Sequence, residues 1–208
     1  MKGMKKFQFL VASLTTLLVA NAASAHTGMG ATSGFSHGLA HPLGGLDHLL
    51  AMIAVGLWAS QLAQSRNAQG HKTQKSALWV VPLSFVALMI AGGVLGAEKI
   101  ALPFVETGIL MSVLVLGVLV AAAVRLPILV SVVVVGGFAL FHGHAHGAEM
   151  PESANGLLYG AGFVIATILL HAIGVGLGIV SQKKLPAPTV RFAGAAIALC
   201  SVMLFLPK

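Results

Sequence analysis

The chain has 208 residues, of which 57% are hydrophobic and 8% charged, and its mean hydropathy is +0.95. A water-soluble domain carries about 25% charged residues, so this composition excludes an ordinary soluble enzyme and equally a disordered chain. The net charge of +7 is spread singly or in pairs between long apolar runs, which is the pattern of an integral membrane protein, and no nucleic-acid partner is expected. One cysteine, Cys200, excludes an internal disulfide and a Cys-rich zinc site.

The first element is a targeting segment. Lys2, Lys5 and Lys6 precede an apolar stretch over 7–19, and Ala23-Ser24-Ala25 has the small-x-small pattern of a signal-peptidase site. The sequence therefore predicts a cleavable signal peptide over 1–25 and a membrane domain over 26–208 that begins at His26 on the outer side. The rival reading, an uncleaved helix over 7–25 just long enough for a thin bilayer, leaves His26 on that same side.

Six apolar segments follow, over 41–64, 77–96, 101–124, 127–142, 154–181 and 189–206. Most approach the ~20 residues a helix needs to cross the hydrocarbon core. The runs are continuously apolar and do not alternate, which favours helices over a barrel. The expected fold is an all-α integral membrane protein, a signal peptide followed by a bundle of six transmembrane helices. Gly92/Gly96, Gly156/Gly160 and Gly174/Gly178 have small-xxx-small spacing and are read as packing steps. Trp58, Trp79 and Tyr159 lie near segment ends, as an aromatic belt requires.

Basic residues set the orientation. With His26 outside, Arg66, Lys72, Lys75, Arg125, Lys183, Lys184 and Arg191 fall in inner loops, against Lys99 and Lys208 outside. The positive-inside rule and the signal peptide thus agree. The expected location is the bacterial inner membrane, multi-pass, with the mature N-terminus in the periplasm. No phosphate-cradling G-x-x-x-x-G-K-[ST] run is present, so the chain is not expected to use ATP itself.

Two segments break the apolar monotony. Residues 36–48 contain His37, His41, Asp47 and His48; residues 141–149 contain His142, His144, His146 and Glu149. Both fall at the outer ends of their spans. On a continuous helix His37, His41 and His48 share a face, Asp47 points about 80° away, and Pro42, Gly44 and Gly45 are placed to bend the segment and bring it round. His142, His146 and Glu149 follow i, i+4, i+7, with Gly143 and Gly147 leaving room for close backbone approach or unwinding. Ionisable groups in a span cost at least ~2.5–3.5 kcal/mol each when central, so they need partners or a purpose. Imidazoles with carboxylates form a borderline nitrogen/oxygen ligand set suited to Ni²⁺, Co²⁺, Zn²⁺ or Fe²⁺. Further candidates are His26, as an amine–imidazole chelator at the new N-terminus, Glu106, which either pairs with Lys99 or adds a carboxylate, and His171, deeper in the fifth span. Met52 is read as packing and His71 as solvated.

At these two segments the chain resembles the HupE/UreJ family of hydrogenase- and urease-accessory membrane proteins. The likeness rests on His41-Pro42-Leu43-Gly44-Gly45-Leu46-Asp47-His48 with Met52 and Val55-Gly56-Leu57-Trp58, and on Phe141-His142-Gly143-His144-Ala145-His146-Gly147-Ala148-Glu149. They fit that family's H-x₅-D-H and F-H-G-x-[AV]-H-G-x-E patterns, and the signal peptide with six spans extends the match over the whole chain. The resemblance implies nickel uptake, with cobalt the alternative, and makes His41, Asp47, His48, His142, His146 and Glu149 the ion-handling residues. His37 and His144 fall outside the fixed motif positions. The shorter H-x₄-D-H motif of the larger nickel/cobalt permease family differs by one residue, and the chain is not placed there.

The expected function is a secondary permease that imports a divalent transition-metal ion, Ni²⁺ before Co²⁺, for hydrogenase or urease maturation. The ion is cargo, and no prosthetic group is expected. Expected partners are the metal ion, the lipid bilayer, downstream nickel-enzyme maturation proteins and, as an option, a second copy of the chain. Two other classes meet the same residues: an intramembrane metalloenzyme, and a metal receptor without transport. A di-iron enzyme wants more carboxylates than the clusters hold, no acid/base set stands apart from the ligands, and no signalling domain accompanies the spans. The chain is therefore expected not to be an enzyme.

Overall fold

The computed structural model describes residues 33–64, 74–150, 155–186 and 188–206. The signal-peptide region, His26 and His71 lie outside the described residues. Seven helices are present among them: α1 (Ser33–Gly44), α2 (Leu46–Leu62), α3 (Ala77–Ala97), α4 (Val105–Ala122), α5 (Ile128–Ala148), α6 (Gly156–Lys184) and α7 (Thr189–Phe205). Helices α3 to α6 are each long and apolar enough to cross a membrane, and α1 with α2, bent by 81°, meets the same test as a pair, as a broken span or a re-entrant loop. Helix α7, at 17 residues, is a shorter apolar helix. The architecture is that of an all-helical, multi-pass membrane protein.

The first span differs from a single helix over 41–64. Gly45 is extended (φ −101°, ψ 119°) and breaks it into α1 and α2. The Pro42, Gly44 and Gly45 run supplies the weak point, since proline and glycine remove the backbone constraints that keep a helix straight. The fourth span differs in the opposite sense: α5 runs to Ala148, so the second histidine segment is helical throughout. Gly143 and Gly147 serve close approach and not unwinding. A Cβ at Gly143 would run into the Met89 carbonyl oxygen, one at Gly147 into that of Gly93, and one at Gly96 into that of His144. Backbones of α3 and α5 are thus in direct contact over the histidine-bearing turns. A second close approach joins α1 to α6, where Gly38 faces the Tyr159 carbonyl and Gly162 that of Phe35. Of the glycine steps read from spacing, Gly92/Gly96 and Gly174/Gly178 are packing positions, whereas Gly160 faces open space and Gly156 meets only Met150.

Helix α2 is the central element. From Ala51 to Leu62 it is buried almost without interruption, enclosed by α3, α4, α6 and α7. Large apolar side chains face outward from the surrounding helices, among them Leu83, Val94, Leu129, Val133 and Leu169, as lipid contact demands. Trp79 is exposed and fits an interfacial position. Trp58 corrects the belt reading: it is fully buried and donates Nε1–H to the Val124 carbonyl at 2.9 Å. The last carbonyls of α4 and of the segment after it lack the regular helical partners, and side chains take them up. Gln61 donates to Val120 O, Arg191 to Ala121 O and Gln74 to Leu126 O, at 3.0, 2.8 and 3.0 Å. These bonds tie α2, α4 and α7 together at the end opposite the histidines.

Candidate metal-ion site

The 81° bend turns the end of α1 over the start of α2, and the α3–α5 contact holds the last turns of α5 beside both. Four imidazoles meet there. His41 on α1 lies edge-on to His146 on α5, with ring centroids 4.6 Å apart; His146 is 4.3 Å from His48 on α2, and His48 is 4.6 Å from His142 on α5. The series runs from the surface inward. The Glu149 and His41 side chains are 55% and 36% exposed, and His48, His146 and His142 are 8%, 4% and 0% exposed.

The mouth is a three-residue ligand set. His41 Nε2 lies 3.4 Å from Glu149 Oε2, and one ligand atom from each of His41, His146 and Glu149 falls within 4.8 Å of the others. Ligand atoms around a first-row divalent ion at ~2.0–2.1 Å bond lengths are about 3–3.5 Å apart. A contraction of about 1–2 Å, available to the partly exposed His41 and the exposed Glu149 against the buried His146, completes the geometry.

Deeper in, second contacts fix the rings. Asp47 Oδ1 accepts from both the backbone N–H and the ring Nδ1 of His48, each at 2.7 Å. A carboxylate has no proton to give, so Nδ1 carries the hydrogen and His48 Nε2 keeps its lone pair. His142 Nε2 lies 2.7 Å from Ser112 Oγ, whose own proton goes to the Ile109 carbonyl at 2.6 Å. With that proton on the carbonyl, Ser112 accepts from the ring Nε2–H, and His142 Nδ1 keeps its lone pair. His48 Nε2, His142 Nδ1 and both nitrogens of His146 are buried without a hydrogen-bond partner. Native proteins seldom leave such groups unpaired, and a free imidazole nitrogen is what a metal ion takes up; among the described residues only His41, His146 and Glu149 bring three ligand atoms within 4.8 Å of one another.

The expected site residues fare unequally. His41, His48, His142, His146 and Glu149 come together. Asp47 reaches the cluster through the bend, and there it holds His48 by its ring nitrogen. His41 and His48 meet His146 across the break at Gly45 and not along one helical face, which leaves His37 exposed outside the cluster. His144 points away and bonds the Ile100 carbonyl through Nε2 at 2.8 Å, because it lies on the flank of α5 opposite His142 and His146. Glu106 is exposed and pairs with neither Lys99 nor the cluster among the described residues. His171 is buried apart from the four, with Nδ1 on the Met52 carbonyl at 2.8 Å. Met52 is core packing, as expected, and lends only that carbonyl.

Sequence reasoning missed Ser112 and Phe163, and it read Tyr159 as a belt residue whereas it is buried beside the cluster. Phe163 packs on His146 at 4.0 Å and Tyr159 lies 6.0 Å from His41. A serine inside an apolar span was the one signal that could have pointed to Ser112; the aromatic residues carry none.

The chain is thus a multi-pass helical membrane protein with four imidazoles and two carboxylates gathered where α1, α2 and α5 meet. Residues 14–204 match the family described as HupE / UreJ protein, and this chain belongs to that family. It is 46% identical over 201 residues to Protein HupE of Rhizobium leguminosarum bv. viciae, covering 97% of this chain and 99% of the relative. No solved structure matches it significantly.

Proposed function

We propose that the protein is a secondary permease that carries a divalent transition-metal ion, Ni²⁺ before Co²⁺, from the periplasm to the cytoplasm of a bacterium, for maturation of a hydrogenase or urease. One observation carries the reading: imidazoles spaced 4.3–4.6 Å apart lead from an exposed carboxylate mouth into the interior, with lone pairs left free at each buried ring. A resident structural ion is served by one closed ligand shell, and a catalytic one by a single shell with an open position. A graded series instead lets an ion exchange its water for nitrogen stepwise and move on. In the same reading residues 1–25 are removed as a signal peptide, six spans lie in the inner membrane, and the mature N-terminus is periplasmic.

The membrane potential supplies the drive. A divalent ion gains roughly 2 × 2.3, about 4.6 kcal/mol, per 100 mV inside negative. That corresponds to more than a thousandfold in concentration, so no ATPase is needed. The test is radioactive nickel uptake into proteoliposomes at clamped potential, with Co²⁺, Zn²⁺ and Mn²⁺ as competitors. Potential-dependent uptake that Co²⁺ inhibits best and His146→Ala removes is expected. Uptake no greater than in empty vesicles refutes the permease reading.

A further inference from the structure

Three of the histidines share one construction. His48 gives a ring N–H to Asp47, His142 to Ser112 and His171 to the Met52 carbonyl, and the opposite nitrogen of each is buried without a partner. An unpaired buried nitrogen is a standing cost. At His48 and His142 the cargo ion relieves it. His171 is built the same way but makes no ring contact with another histidine.

Phe85 on α3 stands between. Its ring, fully buried, lies 5.6 Å from that of His142 and 5.0 Å from that of His171, edge-on to the latter at 86°. Two imidazoles that share one ion bring their nitrogens to within about 4 Å, the limit set by twice the metal–nitrogen bond. A benzene ring between them forbids that, so an ion on His142 reaches His171 only when the ring swings aside. The backbone there does not yield easily, since one turn further on the Met89 carbonyl rests directly on Gly143. The movable part is the side chain.

We propose that Phe85 is a gate, and that it separates the outer cluster from a second, inner ion station at His171 Nε2. The proposal takes the direction of ion travel from the permease reading but stands on its own for binding. The inner station offers one imidazole, so it holds the ion more weakly than the cluster and suits release.

The experiment uses the full chain in detergent and Co²⁺ alone as a spectroscopic probe, mixed in excess by stopped flow. The wild type should fill in two phases, a fast one at the outer cluster and a slow one at His171. His171→Ala should remove the slow phase and keep the fast amplitude within about twofold. Phe85→Leu should speed the slow phase at least tenfold, and Phe85→Trp should slow it at least threefold, with Phe85→Met standing in for any variant that loses the fast phase. General damage to the fold would slow both size changes alike. Single-phase filling of the wild type, a slow phase that survives His171→Ala, or a slow phase indifferent to the size of residue 85 overturns the proposal. Two phases of this kind in a protein that passes no ion across vesicles would sink the permease reading and leave the gate in place.

Discussion

Deleting one hydroxyl, with Ser112→Ala, tests the reasoning about the site most directly. Ser112 acts through His142: its oxygen lies 2.7 Å from Nε2 and holds the ring in the tautomer that leaves Nδ1 free. His142 is 0% exposed, so water does not replace the lost acceptor. Two responses are open. The ring keeps its Nε2–H unpaired, at about 1–3 kcal/mol, or it moves the proton to Nδ1 and surrenders the lone pair. Both routes weaken ion binding. With tenfold per 1.4 kcal/mol, the expected loss is about 5- to 100-fold in affinity, the range typical of partners that orient metal ligands. Ser201→Ala and Ser131→Ala are matched controls, because those buried hydroxyls bond only the Leu110 and Pro127 carbonyls. The assay is Co²⁺ titration of purified protein alongside the KM for nickel uptake. A folded Ser112→Ala protein whose affinity and KM stay within twofold of the wild type, or controls that fall as far, would refute the tautomer argument.

Other expectations follow from the same geometry. His41→Ala, His146→Ala and Glu149→Ala should each raise the KM for uptake at least tenfold with membrane insertion intact, and high external nickel should partly restore the rate; normal uptake in two of them removes the mouth from the mechanism. Asp47→Asn should be milder than Asp47→Ala by about tenfold in affinity, since a carboxamide oxygen still accepts from His48 Nδ1–H whereas alanine leaves it unpaired; equal losses would mean that Asp47 binds the ion by its charge. An imidazole must be unprotonated to offer a lone pair, and an ordinary histidine takes up a proton near pH ~6.5. Binding is therefore present above that range and lost as pH falls, and uptake at clamped potential should decline as external pH drops through about 5–6.5, KM rising more than the maximum rate falls. A rate that rises on acidification would replace ligand competition with proton coupling. Gly143→Ala places a Cβ against the Met89 carbonyl and should cost about 1–3 kcal/mol of stability. Gly160→Ala meets nothing within 4 Å and should be neutral or gain up to about 1 kcal/mol; equal melting temperatures would refute the backbone-contact assignment.

Several features were fixed by the sequence alone. Composition and continuous apolar runs decide for a helical membrane protein, because an unsatisfied backbone in hydrocarbon is too costly for any other continuous arrangement. The two histidine segments announce themselves because ionisable residues are rare in such runs. Even the weak point at Pro42, Gly44 and Gly45 is legible, since those residues destabilise a helix locally. What their periodicity could not decide is which nitrogen of which ring is free. His37 and His41 share a face of α1 one turn apart, yet only His41, the nearer to the 81° break at Gly45, meets His146. Asp47, an apparent ligand, is turned by the same break onto His48. Ser112, Phe85 and the Met52 carbonyl act through contacts 30 or more residues away in sequence. Spacing along one chain reports only neighbours on the same helix. Contacts between helices depend on where glycines allow backbones to touch, and here that decided which imidazoles face one another.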